Sequence, residues 1–244
     1  MGILADFGPR TVIVLGVLFF ASFARSAIGF GDALLAMPVL ALILGMKTAT
    51  PLVALVALTI GITILLRAWR HVDARATWRL ILSTFAGIPL GLTLLKMAPV
   101  GVVRLILGVV LVTFGAYHLS RLRLPKLRTE RLSYLFGFVA GILGGAYNTN
   151  GPPVVIYGVM REWPKQRFRA TLQGYFLITG STIVASHGIA GMWTREVFRL
   201  YLYGLPIVVG GVMLGGWAHH RASGEQFRCA LNIFLIALGI LMFF

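Results

Sequence analysis

GILGGAYNTNGPPVV, residues 141 to 155, interrupts an otherwise apolar run with glycines, two asparagines and a double proline. A helix ends at such a stretch and a new one begins. Within it, NTNGPP supplies what a helix start requires. Asn150 can cap, Gly151 permits a tight turn, and Pro152 and Pro153 fall in the first turn, where a missing N–H matters little. Broken backbone inside a membrane is tolerated only where protein or water satisfies the freed groups. Past the break, free amides and the positive end of a helix face the interior, an arrangement suited to an anion. Asn148, Thr149 and Asn150 add neutral donors for carboxylate or sulfonate oxygens. The competing reading is a kink that lets helices pack closely, since Gly and Pro are common in membrane helices.

The rest of the chain places this break in a bilayer. Mean hydropathy is +0.89, with 58% hydrophobic and 12% charged residues in 244. Apolar runs long enough for a hydrocarbon core of about 30 Å recur from end to end. This composition predicts an all-α polytopic membrane protein without a separate soluble domain. The net charge of +15 could suggest nucleic acid, but the basic residues sit in short loops between apolar runs, so no nucleic-acid partner is expected. Its partners are expected to be the lipid bilayer and a small anionic substrate. A single cysteine, Cys229, excludes an internal disulfide and a cysteine-built metal site.

Ten segments are expected, near 11–29, 33–45, 49–67, 77–96, 101–120, 131–146, 151–162, 168–190, 197–217 and 226–243. The second and seventh are short, and each follows a Gly-rich break. The halves resemble each other. ATWRLILSTFAGIPLG (Ala76–Gly91) aligns with EVFRLYLYGLPIVVGG (Glu196–Gly211), and VRLILGVVLVTFG (Val103–Gly115) with FRCALNIFLIALG (Phe227–Gly239). AIGFGDALLAMP (Ala27–Pro38) aligns with ILGGAYNTNGPP (Ile142–Pro153). These matches predict a five-plus-five inverted repeat: residues 1–121, a basic linker 122–130, and 131–244. A nearly neutral n-region, MGILADFGPR, argues against a signal peptide, although SFA (Ser22–Ala24) weakly resembles a cleavage site.

Charge in the loops orients this arrangement. Fifteen Lys and Arg, in clusters around Arg67–Arg79, Arg121–Arg131, Arg161–Arg169 and Arg221–Arg228, fall on one side, against six on the other. The richer side is expected to be cytoplasmic, with both termini outside. Inverted repeats with interrupted helices are a signature of secondary transporters, whose site lies at the repeat interface near the midplane. Eight full helices with re-entrant short segments are the alternative count.

The first break, RSAIGFGDALLAMP, holds the acidic residue embedded in the apolar region, Asp32. Such a group costs about 3 kcal/mol on insertion scales. It can cap the second segment, pair with Arg25, or carry a coupling proton. FRATLQGYFLITGSTIVASHG (Phe168–Gly188) brings Gln173, Tyr175 and His187 into another apolar helix. Gln173 lies about one turn inside Arg169, so one face can present both, although Arg169 also suits an ordinary interfacial role. His187 reads as a packing hydrogen bonder. His219 and His220 lack the partners of a metal site. The expected substrate-binding set is therefore Gly29, Phe30, Gly31 and Asp32 from the first break, and Tyr147, Asn148, Thr149, Asn150 and Gly151 from the second. Arg169, Gln173 and Tyr175 complete it. Asp32 doubles as the candidate coupling-proton site, and no metal or cofactor is expected.

At GFGDALLAMPVLAL (Gly29–Leu42), NTNGPPVVIYG (Asn148–Gly158) and FRATLQGYFL (Phe168–Leu177), with FRLYLYGLPIVVGGVMLGG (Phe198–Gly216) in support, the sequence resembles the sulfite exporter TauE/SafE family. Many members have a more glycine-rich first motif, where this chain has Phe30 and Asp32. The resemblance covers essentially the whole chain and implies transport of small sulfur-containing anions such as sulfite, sulfoacetate or related organosulfonates. It further implies a bacterial inner membrane, and it leaves a homodimer open. Rival classes are an anion channel, which uses the same helix-end chemistry, and an intramembrane enzyme. Catalysis is disfavoured: Asp32 lacks a second carboxylate, H-E-x-x-H is absent, and Ser181 or Ser186 beside His187 offers only a thin nucleophile–base pair. No G-x-x-x-x-G-K-[ST] loop is present for nucleotide-driven transport.

Overall fold

A computed structural model describes residues 8–66, 74–120, 122, 124–218 and 225–244. His219, His220 and the loop arginines Arg67, Arg70, Arg121, Arg123 and Arg221 lie outside them, and Arg169 is described in its backbone only. The described residues form ten helices. In order they are α1 (Pro9–Ile28), α2 (Asp32–Leu44), α3 (Met46–Leu65), α4 (Ala74–Met97) and α5 (Val100–Ser120). The second five are α6 (Leu132–Tyr147), α7 (Gly151–Met160), α8 (Lys165–Ile189), α9 (Arg195–Ala218) and α10 (Glu225–Leu241). Each expected segment has its helix. The chain is an all-α, multi-pass membrane protein: α1, α3, α4, α5 and α9 have the length and hydropathy to cross a bilayer. Apolar side chains such as Phe20, Met97 and Trp217 are exposed, while Arg25, Asp32 and Gln173 are buried. That distribution suits a lipid solvent.

Chain punctuation explains the short helices. Gly29 ends α1 in the left-handed region (φ 104°), its N–H returning to the Arg25 carbonyl at 2.7 Å. Asn148 ends α6 in the same way (φ 56°), bonding the Gly144 carbonyl at 2.8 Å. A left-handed residue at this position satisfies a last-turn carbonyl and turns the chain. α2, with 13 residues, and α7, with 10, reach only about 20 and 15 Å at 1.5 Å per residue, short of a bilayer core of about 30 Å.

Each short helix folds back beside the helix before it. Arg10, at the start of α1, donates to the Ile43 carbonyl at the end of α2 (2.9 Å). At the base of the second hairpin, Leu127 N–H donates to Met160 O (2.8 Å) and Arg161 Nη1 to Leu127 O (2.9 Å). The two bases lie at opposite ends of α4. Arg79, near its start, pairs with Glu130 beside the second base, whereas Lys96, near its finish, donates to Ala190 O at 3.1 Å, in the α8–α9 turn whose Glu196 lies 3.9 Å from Arg10 of the first base. The hairpins therefore enter from opposite sides.

Helix packing follows the same exchange. α4 packs on α6 and α1 on α9; α3 packs on α9 and α8 on α4; α3 meets α8 and α5 meets α10. Swapping α1–α5 for α6–α10 exchanges α4–α6 with α1–α9 and α3–α9 with α4–α8, and returns α3–α8 and α5–α10 to themselves. The α4–α6 contact is the tightest, because Gly87 and Gly91 face Gly141 and Gly145. A Cβ at Gly91 would land on the Ile142 backbone and one at Gly145 on Ile88. Small residues let membrane helices approach to backbone contact.

The breaks also correct the alignment of the two front motifs. α1 ends at Ile28 and α6 at Tyr147; α2 begins at Asp32 and α7 at Gly151. By these landmarks Gly29 corresponds to Asn148 and Asp32 to Gly151, about one helical turn away from the expected register. Pro38 lies inside α2, whereas Pro152 and Pro153 open α7. Matching prolines in sequence misplaced them because they serve different positions in their helices.

Candidate functional site

The tips of the two hairpins line one small cavity. Its wall comprises Phe30, Gly31, Asp32, Ala33 and Leu34 from the first tip, and Asn148, Thr149, Asn150, Gly151 and Pro152 from the second. Arg25 of α1, Ala57 and Leu58 of α3, and Phe176 and Gly180 of α8 complete its lining. Its volume is about 30 Å³, room for about two water molecules.

The first tip carries the charge. Arg25, in the last turn of α1, is only 4% exposed. Its Nη1 donates to Asp32 Oδ2 at 2.7 Å, across the turn made by left-handed Gly29 and Gly31. Its Nη2 donates to Gln173 Oε1 at 3.3 Å, and the guanidinium lies 5.3 Å from the Phe176 ring centroid, within cation–π range. Gln173 Nε2 donates to the Gly29 carbonyl at 2.6 Å. One amide from α8 thus holds both the cation and the turn beside it. Arg25 Nε is buried without a hydrogen-bond acceptor. Gly31 holds the N-cap position of α2 and Asp32 is the first helical residue, its carboxylate paired with Arg25, so pairing is its observed role.

The second tip is neutral. Asn150 occupies the N-cap position of α7, yet makes no side-chain cap bond; its Nδ2 donates to Thr179 Oγ1 at 3.0 Å. The reason is local. A cap side chain accepts from the second or third helical N–H, and those positions are Pro152 and Pro153, which have none. The prolines also remove amides that the sequence suggested for an anion. The free first-turn amides in the cavity wall are instead those of Asp32, Ala33 and Leu34 at the start of α2, beside Gly151. The helix end suited to an anion belongs chiefly to α2.

Phe30, Gly31, Asp32, Asn148, Thr149, Asn150 and Gly151 therefore come together as expected, and the remaining candidates stand elsewhere. Gly29 and Gln173 support the wall from behind. Tyr175 is buried and shares a 2.7 Å hydrogen bond with Thr84 of α4; Tyr147 is buried beyond the cavity, its hydroxyl without a protein partner. His187 bonds the Gly145 carbonyl at 3.0 Å, tying α8 to α6. Sequence reasoning left Arg25 out of the site, along with Phe176 and the α3 wall. The signal for Arg25 was its position seven residues before Asp32. The break obscured it, yet the break itself folds the pair together.

A larger cavity, about 750 Å³, lies on the side of the basic loops. His118 near the end of α5, Glu162 and Trp163 after α7, Phe168 of α8 and Asn232 of α10 line it. Phe30, Gly31 and Leu34 belong to both cavities, so one layer of residues separates them. The Phe30 ring meets Phe114 edge-on at 6.0 Å.

Ten helices and a small cavity lined by the tips of two helical hairpins define the architecture as that of a multi-pass membrane protein. The chain belongs to the sulfite exporter TauE/SafE family, whose model matches residues 14–242. It is thereby a member of a family of membrane transporters. No curated protein and no solved structure matches the chain.

Proposed function

We propose that the protein is a secondary transporter of a small sulfur oxyanion, sulfite or a compact organosulfonate, bound between the two hairpin tips. One observation carries this reading: both breaks line one buried cavity that joins a guanidinium, helix-start amides and asparagine side chains. Such donors suit a compact oxyanion. Family membership supports the substrate class. In this reading the halves are an inverted repeat, with the basic loops cytoplasmic and both termini outside in a bacterial inner membrane. The 750 Å³ vestibule is then the cytoplasmic route, and Phe30 the thin barrier at its inner end. Alternating access would move one hairpin against the other around the fixed site.

A thermal-shift screen of the purified protein tests this reading, using sulfite, sulfoacetate, isethionate, taurine and simple carboxylates. A ligand of the folded state raises its stability by mass action, so compact sulfur anions should shift the transition most. Shifts by amines or sugars alone contradict the reading. Counterflow in proteoliposomes separates carrier from channel: preloaded unlabelled substrate should drive transient accumulation of label, which a channel does not give.

A further inference from the structure

We propose that Arg25 is the direct ligand of the transported anion and that the Asp32 carboxylate occupies it in the empty carrier, so one proton moves with each monoanion. This deepens the transporter reading and rests on it. The Arg25 guanidinium is buried, forms part of the cavity wall, and bonds Asp32 at 2.7 Å. Its contact to Gln173 is longer, 3.3 Å, and its Nε has no acceptor. Donors thus remain for an oxyanion, in a wall whose opposite side is neutral.

Substrate and Asp32 are chemically alike, both presenting anionic oxygens to one cation. When the substrate takes the guanidinium, Asp32 is left as a buried carboxylate without a counter-charge, a state strongly disfavoured in a low-dielectric site. It then takes one proton from water on the open side and becomes a neutral acid. The charges balance at each stage. The empty site holds Arg25⁺ and Asp32⁻; the loaded site holds Arg25⁺, the monoanion and neutral Asp32. Both are neutral overall, so a monoanion crosses without net charge movement.

Among the described residues, no second titratable group in the wall competes for this role. α1 presents Arg25; α3 presents Ala57 and Leu58; α8 presents Phe176, Gly180 and the Gln173 amide; the second tip presents Asn148, Thr149 and Asn150. His118 of α5 and Glu162 after α7 line the vestibule, beyond Phe30.

Isethionate uptake into proteoliposomes tests the proposal, with sulfite run in parallel. The isethionate sulfonate stays ionised, so an accompanying proton must ride on the protein. Wild-type uptake should acidify the lumen by one proton per isethionate and ignore a potassium-diffusion potential. Asp32→Asn should keep exchange, lose acidification, and become sensitive to potential, because its empty site retains the Arg25 charge. Arg25→Gln should weaken isethionate binding by about 10- to 100-fold, the loss expected for a charge-assisted hydrogen bond. The double variant Arg25→Gln/Asp32→Asn removes both buried charges, which favours folding, and should bind as weakly. Binding by the double variant within about threefold of wild type, below the loss expected for even one such bond, overturns the role of Arg25. Acidification by Asp32→Asn, or potential-driven uptake by the wild type, overturns the proton exchange. Neither anion entering wild-type liposomes overturns the transporter reading itself, a separate result.

Discussion

The two hairpin tips solve one geometric problem with different chemistry. Each must stop a helix deep in the molecule, turn the chain and start another. Position for position, Gly29 and Asn148 perform the turn in the left-handed region. After that they diverge. The first tip continues through a second left-handed residue, Gly31, into a helix start rich in free amides, with Arg25 and Asp32 paired across it. The second runs through Thr149 and Asn150 into two prolines, exchanging amide donors for a fixed helix start, and contains no charge. One tip holds the electrostatics while the other shapes a neutral wall. The charged tip depends on its neighbour in α8: Gln173 bonds both Arg25 and the Gly29 carbonyl.

That contrast can be broken by substitution. The largest effect is expected at Arg25. Arg25→Gln leaves Asp32 buried without a counter-charge and should cost about 3–5 kcal/mol in stability, read as a fall in the melting transition in detergent and relieved by adding Asp32→Asn. Next comes the turn. Gly29→Val forces a branched side chain to φ 104° and should cost about 1–3 kcal/mol, whereas Asn148→Gly at the corresponding position should be tolerated. Gln173→Ala removes the amide behind the charged tip, strands the Gly29 carbonyl, and should cost about 1–3 kcal/mol. The smallest change is expected at Tyr147. Tyr147→Phe deletes a buried hydroxyl that has no protein partner and should leave both melting and anion binding as in the wild type. A marked loss of binding there would extend the site past the cavity wall.

Much of the fold was legible because lipid makes composition and punctuation informative. A residue such as Gly29 or Asn148 inside an apolar run must end a helix, and its freed backbone groups must be satisfied internally. Seven expected site residues meet at the cavity for that reason. What the sequence could not convey was which groups face one another once the chain has turned. Arg25 and Asp32 lie on separate helices, so helical periodicity was the wrong ruler for their distance. Asn150 has the residue type and position of a cap, yet the prolines after it leave nothing to cap. Tyr175 has a polar group on an apolar helix, but that group is bound to Thr84. A polar residue in a membrane helix signals a partner, and sequence does not say whether the partner is protein or passenger.

The central claim is that both tips hold the same ligand. Equilibrium binding of radiolabelled sulfite to purified wild-type protein, Arg25→Gln and Asn150→Ala tests it most directly. Saturable wild-type binding that weakens about tenfold or more in each variant, one from each tip, is the predicted result. Binding unchanged in either variant, with the protein folded, would contradict a shared site.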